Sequence, residues 1–151
     1  MPKLELDALP TRTGSNYPAP FDALPRARIR KPLGAAGGLT DFGVNLTRLP
    51  PGCWSSQRHW HSDEDECVFV VSGELVLVTD GGEQTLVAGD CATFPKNVAD
   101  GHHLINRSNA FATYLEIGSR SATDVCRYPD IDLAGDAEGQ YFHKDGTPYP
   151  S

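Results

Sequence analysis

Long apolar runs, clustered cysteines and an excess of positive charge are all missing from this sequence. No segment of its 151 residues approaches the roughly 20 apolar residues that a membrane-spanning helix needs. Lys and Arg number 13 against 20 Asp and Glu, for a net charge of −7, and no segment reads as a helix-turn-helix. Nucleic acid and membrane are therefore poor partners for this chain. We expect its partner to be a small-molecule substrate or ligand.

The cysteine spacing and the N-terminal residues indicate the cellular compartment of the protein. Cys53, Cys67, Cys91 and Cys126 form no C-x-x-C pair, and the first five residues lack the apolar core of a signal peptide. Reduced thiols in a cytoplasmic protein are the expectation that follows.

Turn-forming residues, in contrast, are plentiful, with 15 Gly and 12 Pro. They favour short strands over long helices. We expect three parts: an irregular N-terminal arm over residues 1–38, an all-β barrel over 39–120, and a C-terminal tail over 121–151 that packs on the barrel or on a partner subunit. The basic run at residues 26–31 reads as part of a surface arm.

The central part alternates between apolar runs and turn residues. An Asp-Gly-Gly turn at 80–82 predicts a hairpin between its flanking segments. Strands at such short, even spacing are typical of a sandwich or a barrel. The predicted strands are 42–49, 57–61, 67–71, 74–79, 83–87, 91–94, 102–106 and 111–117.

A possible metal site follows from the spacing of two histidines and a glutamate. His59 and His61 are two residues apart in a predicted strand, so both side chains leave the same face, with Trp60 on the other. After a turn, Glu66 begins a strand in which Val68 shares its face. A carboxylate in that apolar row needs a positive partner, and a metal ion would supply it.

Residues 52–73 resemble the first motif of the cupin superfamily, G-x5-H-x-H-x3,4-E-x6-G. Gly52 is followed by six residues, His59-Trp60-His61, four residues, Glu66, six residues and Gly73. The one departure is the extra residue before the first histidine. The resemblance implies a double-stranded β-helix, the jelly-roll barrel of cupins, over about residues 42–118.

The second cupin motif, G-x5-P-x-G-x2-H-x3-N, is matched with an insertion. Gly89 and Pro95 are followed by Asn97 where a glycine is usual, and Asn tolerates positive φ. A literal match puts Asp100 at the histidine position, two residues before His102. Because His102 keeps the x3 spacing to Asn106, we favour His102 over Asp100 as the fourth ligand, beside His59, His61 and Glu66.

Three imidazoles and a carboxylate suit one divalent transition metal: Zn, Fe, Mn, Ni, Co or Cu. In a six-coordinate ion two positions would stay open for water or substrate, which points to catalysis or ligand capture. Asn106 and Gln57 are candidates for orienting the histidines.

The resemblance extends to small bacterial cupins described as sugar-phosphate isomerases. In such an enzyme the metal would act as a Lewis acid on a small polar metabolite. Tyr114 and Glu116 share one face of the last predicted strand, which makes Glu116 the candidate base and Tyr114 a substrate-orienting group. Few basic residues lie close to the motifs, which weakens the hypothesis that the substrate carries a phosphate group. They are Arg58, Lys96 and Arg107.

Two alternatives stay open at this point. The same ligands would serve a metal-dependent dioxygenase, with an apolar pocket from Val68, Val70, Leu104 and Phe42. A cupin that binds or senses a small ligand without turnover is the other. Trp60, turned away from the metal, needs cover from the N-terminal arm or from a second subunit, and we expect a homodimer.

Overall fold

The computed structural model describes residues 2–150. Strand makes up 42% of the chain and helix 5%, so the predicted all-β class is confirmed. Among these described residues, helical structure is limited to a 3-10 turn at Leu6–Ala8 and one α-helical turn, α1, at Leu33–Ala36. Within 2–150, no helix is both long and apolar enough to cross a membrane.

Thirteen strands within residues 2–150 form three antiparallel sheets with the orders β1-β2-β3-β10-β5-β8, β13-β12-β11-β4 and β7-β6-β9. The strands are β1 (Arg12–Thr13), β2 (Ile29–Pro32), β3 (Phe42–Leu49), β4 (Trp60–His61), β5 (Glu66–Ser72), β6 (Glu74–Thr79), β7 (Gly82–Val87), β8 (Cys91–Phe94), β9 (His103–Ile105), β10 (Ala112–Ser119), β11 (Val125–Arg127), β12 (Ala134–Asp136) and β13 (Tyr141–Phe142).

Two predicted strands are shorter than the sequence indicated. The segment 57–61 forms regular strand only at β4, and the segment 102–106 only at β9. Between them, His59 and His102 form an isolated antiparallel bridge, in which each backbone N–H donates to the other residue's carbonyl. That bridge brings two histidines that are distant in the sequence side by side.

Strand register sets which side chains face the barrel interior. On β10, Gly118 lies opposite Glu66 of β5, and Glu116 lies opposite Val68. Side chains two residues apart share a face, so Tyr114, Glu116 and Gly118 line one interior row. This row joins the hydrophobic core at Tyr114. The buried residues of the core are Leu49, Cys53, Val68, Val70, Leu75, Leu77, Leu86, Leu104, Ala112 and Tyr114.

A glycine makes the corner between β5 and β6. Gly73 has φ +81°, and a Cβ there would lie 2.7 Å from the Phe111 carbonyl oxygen. Both the backbone conformation and the close approach require glycine. Asn97 adopts φ 59°, so asparagine does replace the usual glycine of this turn in a left-handed conformation.

The segments before β3 and after β10 form short strands and are not purely irregular. β2 pairs with β3, and β11 pairs with β4, which extends two sheets beyond the barrel strands. The two segments also meet through aromatic rings, because Tyr17 lies 5.7 Å from Tyr128 and 5.4 Å from Tyr141 between centroids. The three-part division at 1–38, 39–120 and 121–151 stays a prediction.

Candidate metal centre and active-site cavity

Four side chains converge on one point inside the barrel. Oε1 of Glu66 lies 2.9 Å from Nε2 of His61, 3.2 Å from Nε2 of His102 and 3.6 Å from Nε2 of His59. His59 and His102 are brought there by their backbone bridge, His61 by β4, and Glu66 by the first position of β5. Gly118, opposite Glu66, leaves room for the carboxylate.

The donor atoms fit a divalent metal ion. Glu66 Oε1 is buried and has no hydrogen-bond partner, although three imidazole nitrogens surround it. Nitrogens and an oxygen that face one another without hydrogen-bond geometry are what an ion between them requires. His59, Glu66 and His102 also offer ligand atoms that all lie within 4.8 Å of one another.

Asp100, the alternative fourth ligand, lies outside this group. Its side chain is exposed, and its Oδ1 accepts the backbone N–H of Asp80 at 2.8 Å. His102 instead points inward, with its ring stacked on Phe94 at a centroid distance of 3.6 Å. His103, the next residue, turns the other way and contacts the Ser56 carbonyl oxygen through Nδ1 at 3.0 Å.

Asp124 orients one of the histidines, a role that sequence reasoning missed. Its Oδ2 lies 2.6 Å from Nδ1 of His61, so that Nε2 is left facing Glu66. Asp124 is buried just before β11, far from both motifs in the sequence, and no spacing indicated it. Carboxylates that fix the far nitrogen of a metal-binding histidine are a common feature of metal sites.

Of the two residues predicted to orient the histidines, Gln57 contacts one of them and Asn106 does not. Nδ1 of His59 lies 2.8 Å from the backbone carbonyl of Gln57, whose side-chain amide donates instead to the Phe21 carbonyl. The side chain of Asn106 donates to the carbonyls of Leu49 and Ala110 and so fixes the loop after β9. Gln57 therefore contacts His59 as predicted, but through its backbone carbonyl, whereas the prediction for Asn106 was wrong.

The charges in the site depend strongly on one another. Burial opposes the charge on Glu66, yet the surrounding imidazoles of His102, His59 and His61 hold its pKa well below the usual range. Burial also opposes a proton on His61, but Glu66 and Asp124 outweigh it and raise the pKa of His61 to about 9. Burial lowers the pKa of His102. The negative charge of Glu66 and the positive charge of His61 therefore stabilise each other.

Cys126 lies close to the same histidines. It offers a sulfur within 4.8 Å of ligand atoms of His59 and His61, because β11 pairs with β4 in the register Cys126 opposite His61. Burial raises the pKa of the Cys126 thiol. Because a metal ion deprotonates a thiol that coordinates it, Cys126 is a further potential ligand atom beside the two histidines.

A cavity of about 530 Å³ opens in front of these side chains. Tyr114 and Glu116 both line it, as does Val68, which leads towards Glu66. Tyr114 is buried, and burial raises the pKa of its hydroxyl, which keeps it a hydrogen-bond donor. Two of the four predicted apolar lining residues do not line the cavity: Val70 is fully buried in the core, and Phe42 is 42% exposed.

The basic run at 26–31 is not simply a surface arm, and that interpretation was wrong for two of its arginines. Arg28 is buried, and Arg28 and Arg30 both line the cavity. Arg30 lies 3.3 Å from Glu116. Arg28 lies immediately before β2 and Arg30 lies within it, two residues further on. A short strand among prolines gave no periodic signal for this arrangement.

The basic residues near the motifs, which sequence reasoning considered first, point away from the cavity. Arg58 forms ion pairs with Asp80 and Asp130, and Arg107 pairs with Glu83. Lys96 lies on the exposed surface. The cationic groups of the cavity come from outside the barrel motifs.

Comparisons with known proteins agree with the motif spacing. A family model described as a cupin domain matches residues 45–118. A solved structure from Silicibacter pomeroyi, described as a sugar phosphate isomerase from a cupin superfamily, is 47% identical, with a TM-score of 0.93 over 99% of this chain and 98% of that one. A candidate sugar phosphate isomerase from Acidithiobacillus ferrooxidans is 32% identical, with a TM-score of 0.69 over 78% and 71%.

More distant structures share the fold alone. A predicted oxalate decarboxylase from Thermotoga maritima is 19% identical, with a TM-score of 0.64 over 78% of this chain and 97% of that one. A search of curated proteins found no match. The motif spacing, the barrel topology and the similarity over almost the whole Silicibacter chain lead to one conclusion: this chain belongs to the cupin superfamily.

Proposed function

We propose that this chain is a metal-dependent isomerase that acts on a sugar phosphate, with His59, His61, Glu66 and His102 as the metal ligands. The observation that carries the proposal is that these four side chains and Glu116 face one cavity. Two relatives above 30% identity are described as a sugar phosphate isomerase and a candidate for that activity, which supports the substrate class. The metal is one divalent transition ion.

The chain's own residues have distinct roles in this proposal. A bound metal ion supplies Lewis-acid polarisation of a substrate carbonyl. Glu116 accepts the proton from the carbon next to the carbonyl and returns it to the former carbonyl carbon, while the proton of the neighbouring hydroxyl moves to the former carbonyl oxygen. Arg30 lies 3.3 Å from Glu116 and faces the same cavity. Tyr114, two residues along the same face, orients the substrate by donating a hydrogen bond from its hydroxyl.

Deuterium incorporation from D₂O tests the proton transfer directly. A panel of aldose and ketose phosphates is incubated with metal-loaded protein, and exchange at the carbon next to the carbonyl is followed by NMR. Glu116→Gln keeps the shape but removes the base, so exchange should fall by roughly 10²–10⁴-fold. His61→Ala should abolish it through the metal. An unchanged rate in Glu116→Gln would remove that residue from the mechanism.

A dioxygenase is the second candidate, since Val68, Phe94 and Leu104 give the cavity an apolar side next to His102. Oxygen uptake by iron-loaded protein with chelating aromatic substrates would support it over the isomerase. Saturable metabolite binding without exchange or oxygen uptake would favour a ligand-binding cupin.

We also propose a cytoplasmic homodimer. Large apolar side chains are exposed on the outer side of the six-stranded sheet and beyond it, with Phe69 42% and Val71 46% exposed. Trp60 is half-buried under Arg127, whose guanidinium carbon lies 5.8 Å from the ring centroid. Light scattering over a range of protein concentrations tests the dimer; a constant monomer mass would exclude it.

A further inference from the structure

A row of hydrogen-bond donors without partners crosses three strands at the end of the cavity away from Glu66. Arg30 of β2 lies opposite Thr47 of β3, which lies opposite Tyr114 of β10. Each carries a buried atom with no hydrogen-bond partner: Arg30 Nε, Thr47 Oγ1 and Tyr114 OH. Arg30 and Tyr114 line the cavity, whereas Thr47 does not. Buried polar groups are rarely left unpaired, so the free donors of Arg30 and Tyr114 indicate a missing acceptor in the cavity.

Arg28 adds a fourth donor and a buried charge. Its side chain faces the same cavity, the residue is only 9% exposed, and its Nε also has no partner. Its guanidinium contacts two carbonyls, those of Ser55 at 2.6 Å and Gly14 at 2.9 Å, rather than a carboxylate. Burying a charge without a counter-ion is costly, and an anionic ligand would offset that cost.

The charge of the whole cavity points the same way. Its lining includes the four guanidinium groups of Arg12, Arg28, Arg30 and Arg120, against the three carboxylates of Glu64, Glu66 and Glu116. A divalent ion at Glu66 would increase the excess of positive charge. Such a cavity attracts anions more strongly than neutral sugars.

We propose that Arg28, Arg30 and Tyr114 form a subsite for the phosphate monoester of the substrate, at the end of the cavity opposite the metal ligands. This inference rests on the proposed isomerase function and specifies how its substrate lies. Planar guanidinium groups with several donors match the multiple oxygens of a phosphate. The Arg30–Glu116 contacts of 3.3 and 3.4 Å are long for a charged pair, so Arg30 can turn to a stronger anion.

The spacing along β10 then orients the substrate. Tyr114 and Gly118, which lies opposite Glu66, are four residues apart, and strand rise puts their Cα atoms roughly 13 Å from each other. Glu116 lies midway between them. A sugar phosphate would bind with its phosphate at Arg28 and its carbonyl near Glu66. The carbon next to the carbonyl, from which the proton is taken, would then lie on the side of Glu116.

Binding of inorganic phosphate to metal-free protein tests the subsite without any turnover. Titration calorimetry in the presence of a chelator keeps phosphate off a metal ion. Wild-type protein should bind phosphate saturably, and Arg30→Gln and Arg28→Lys should each weaken binding by about tenfold or more, the worth of one charge-assisted pair. Acetate, with one charge and fewer oxygens, should bind at least about tenfold less tightly.

Arg26→Gln is the matched control, because Arg26 belongs to the same basic run but is exposed and does not line the cavity. Its phosphate affinity should equal that of wild type. Equal affinities in wild type, Arg30→Gln and Arg28→Lys would overturn the subsite, as would wild-type protein that shows no saturable phosphate binding. Acetate binding as tight as phosphate would overturn the phosphate assignment. Because Arg28 anchors Gly14 and Ser55, the affinity of Arg30→Gln alone decides the question if Arg28→Lys does not fold.

The same variants separate this inference from the proposed function. Arginine-dependent phosphate binding without exchange on any sugar phosphate would keep the subsite and reject the isomerase. Exchange on a sugar phosphate with an unchanged KM in Arg30→Gln would keep the isomerase and reject the subsite.

Discussion

Replacement of Asp124 by asparagine should change both the strength of metal binding and its dependence on pH. The Asp124 carboxylate lies 2.6 Å from Nδ1 of His61 and contributes, with Glu66, to the raised pKa of that histidine, about 9. Asparagine has the same shape without the charge. It keeps His61 in place less firmly and stabilises its protonated form less.

The magnitude can be worked out from the pKa of His61. Metal binding requires the neutral imidazole, so a proton must leave His61 whenever the pH is below about 9. At pH 7 this competition weakens the wild-type affinity by about 100-fold, or about 2.7 kcal/mol, and the affinity rises by about tenfold per pH unit. The dependence should level off above the pKa.

Asp124→Asn lowers the pKa of His61, so the proton competes less and the affinity levels off at a lower pH. Loss of the orienting carboxylate costs roughly 10–100-fold in intrinsic affinity. At pH 7 the weaker competition from the proton offsets part of the affinity lost with the orienting carboxylate. Above pH 9 the proton no longer competes in either protein, so only the loss remains. The gap between variant and wild type should therefore widen as the pH rises.

Zinc competition against a chromophoric chelator between pH 6.5 and 9 measures this dependence, and NMR titration of metal-free protein gives the pKa of His61 directly. Asp132→Asn is a matched control, since Asp132 makes a similar 2.7 Å contact with His143 away from the site. Parallel pH curves for wild type and Asp124→Asn would refute the reasoning, as would an unchanged His61 pKa.

The remaining predictions concern the ligand set and the backbone. Glu66→Gln should weaken zinc binding by more than about 100-fold in the same assay, since it removes the one anionic ligand; retention of wild-type affinity would exclude Glu66 as a ligand. Gly73→Ala should lower the free energy of unfolding in urea by roughly 1–3 kcal/mol more than Gly52→Ala, because both have φ +81° but only Gly73 has backbone within 4 Å of the added Cβ. Equal losses would show that the close approach costs nothing. Leu75→Ala, at a fully buried position, should cost about 2–5 kcal/mol, and a loss below about 1 kcal/mol would contradict its place in the core.

The barrel could be predicted from the sequence because its signals are local. Alternation and turn residues define β3, β6 and β8, whose observed bounds match the predicted ones. The spacing of His59, His61 and Glu66 likewise follows from strand geometry over a few residues. His102 needed the comparison of two motif alignments, and the structure puts it, rather than Asp100, beside Glu66.

The missed residues depend on long-range pairing. Asp124 reaches His61 only because β11 pairs with β4, and Arg30 reaches Glu116 only because β2 pairs with β3. Neither short strand has a pattern of its own, since β2 ends at a proline and β11 has three residues. Pairing between such strands is determined by tertiary contacts, which a sequence pattern does not contain.

The pairing of β2 with β3 has a consequence for how this type of barrel could diversify. The candidate metal ligands come from residues 59–102, inside the barrel, whereas Arg28 and Arg30 come from β2 and the residue just before it, in the N-terminal segment that pairs with β3. The proposed phosphate subsite and the candidate metal centre are thus encoded in separate stretches of the gene. Exchange of the segment before β3 between related barrels could redirect one shared reaction centre to a new metabolite.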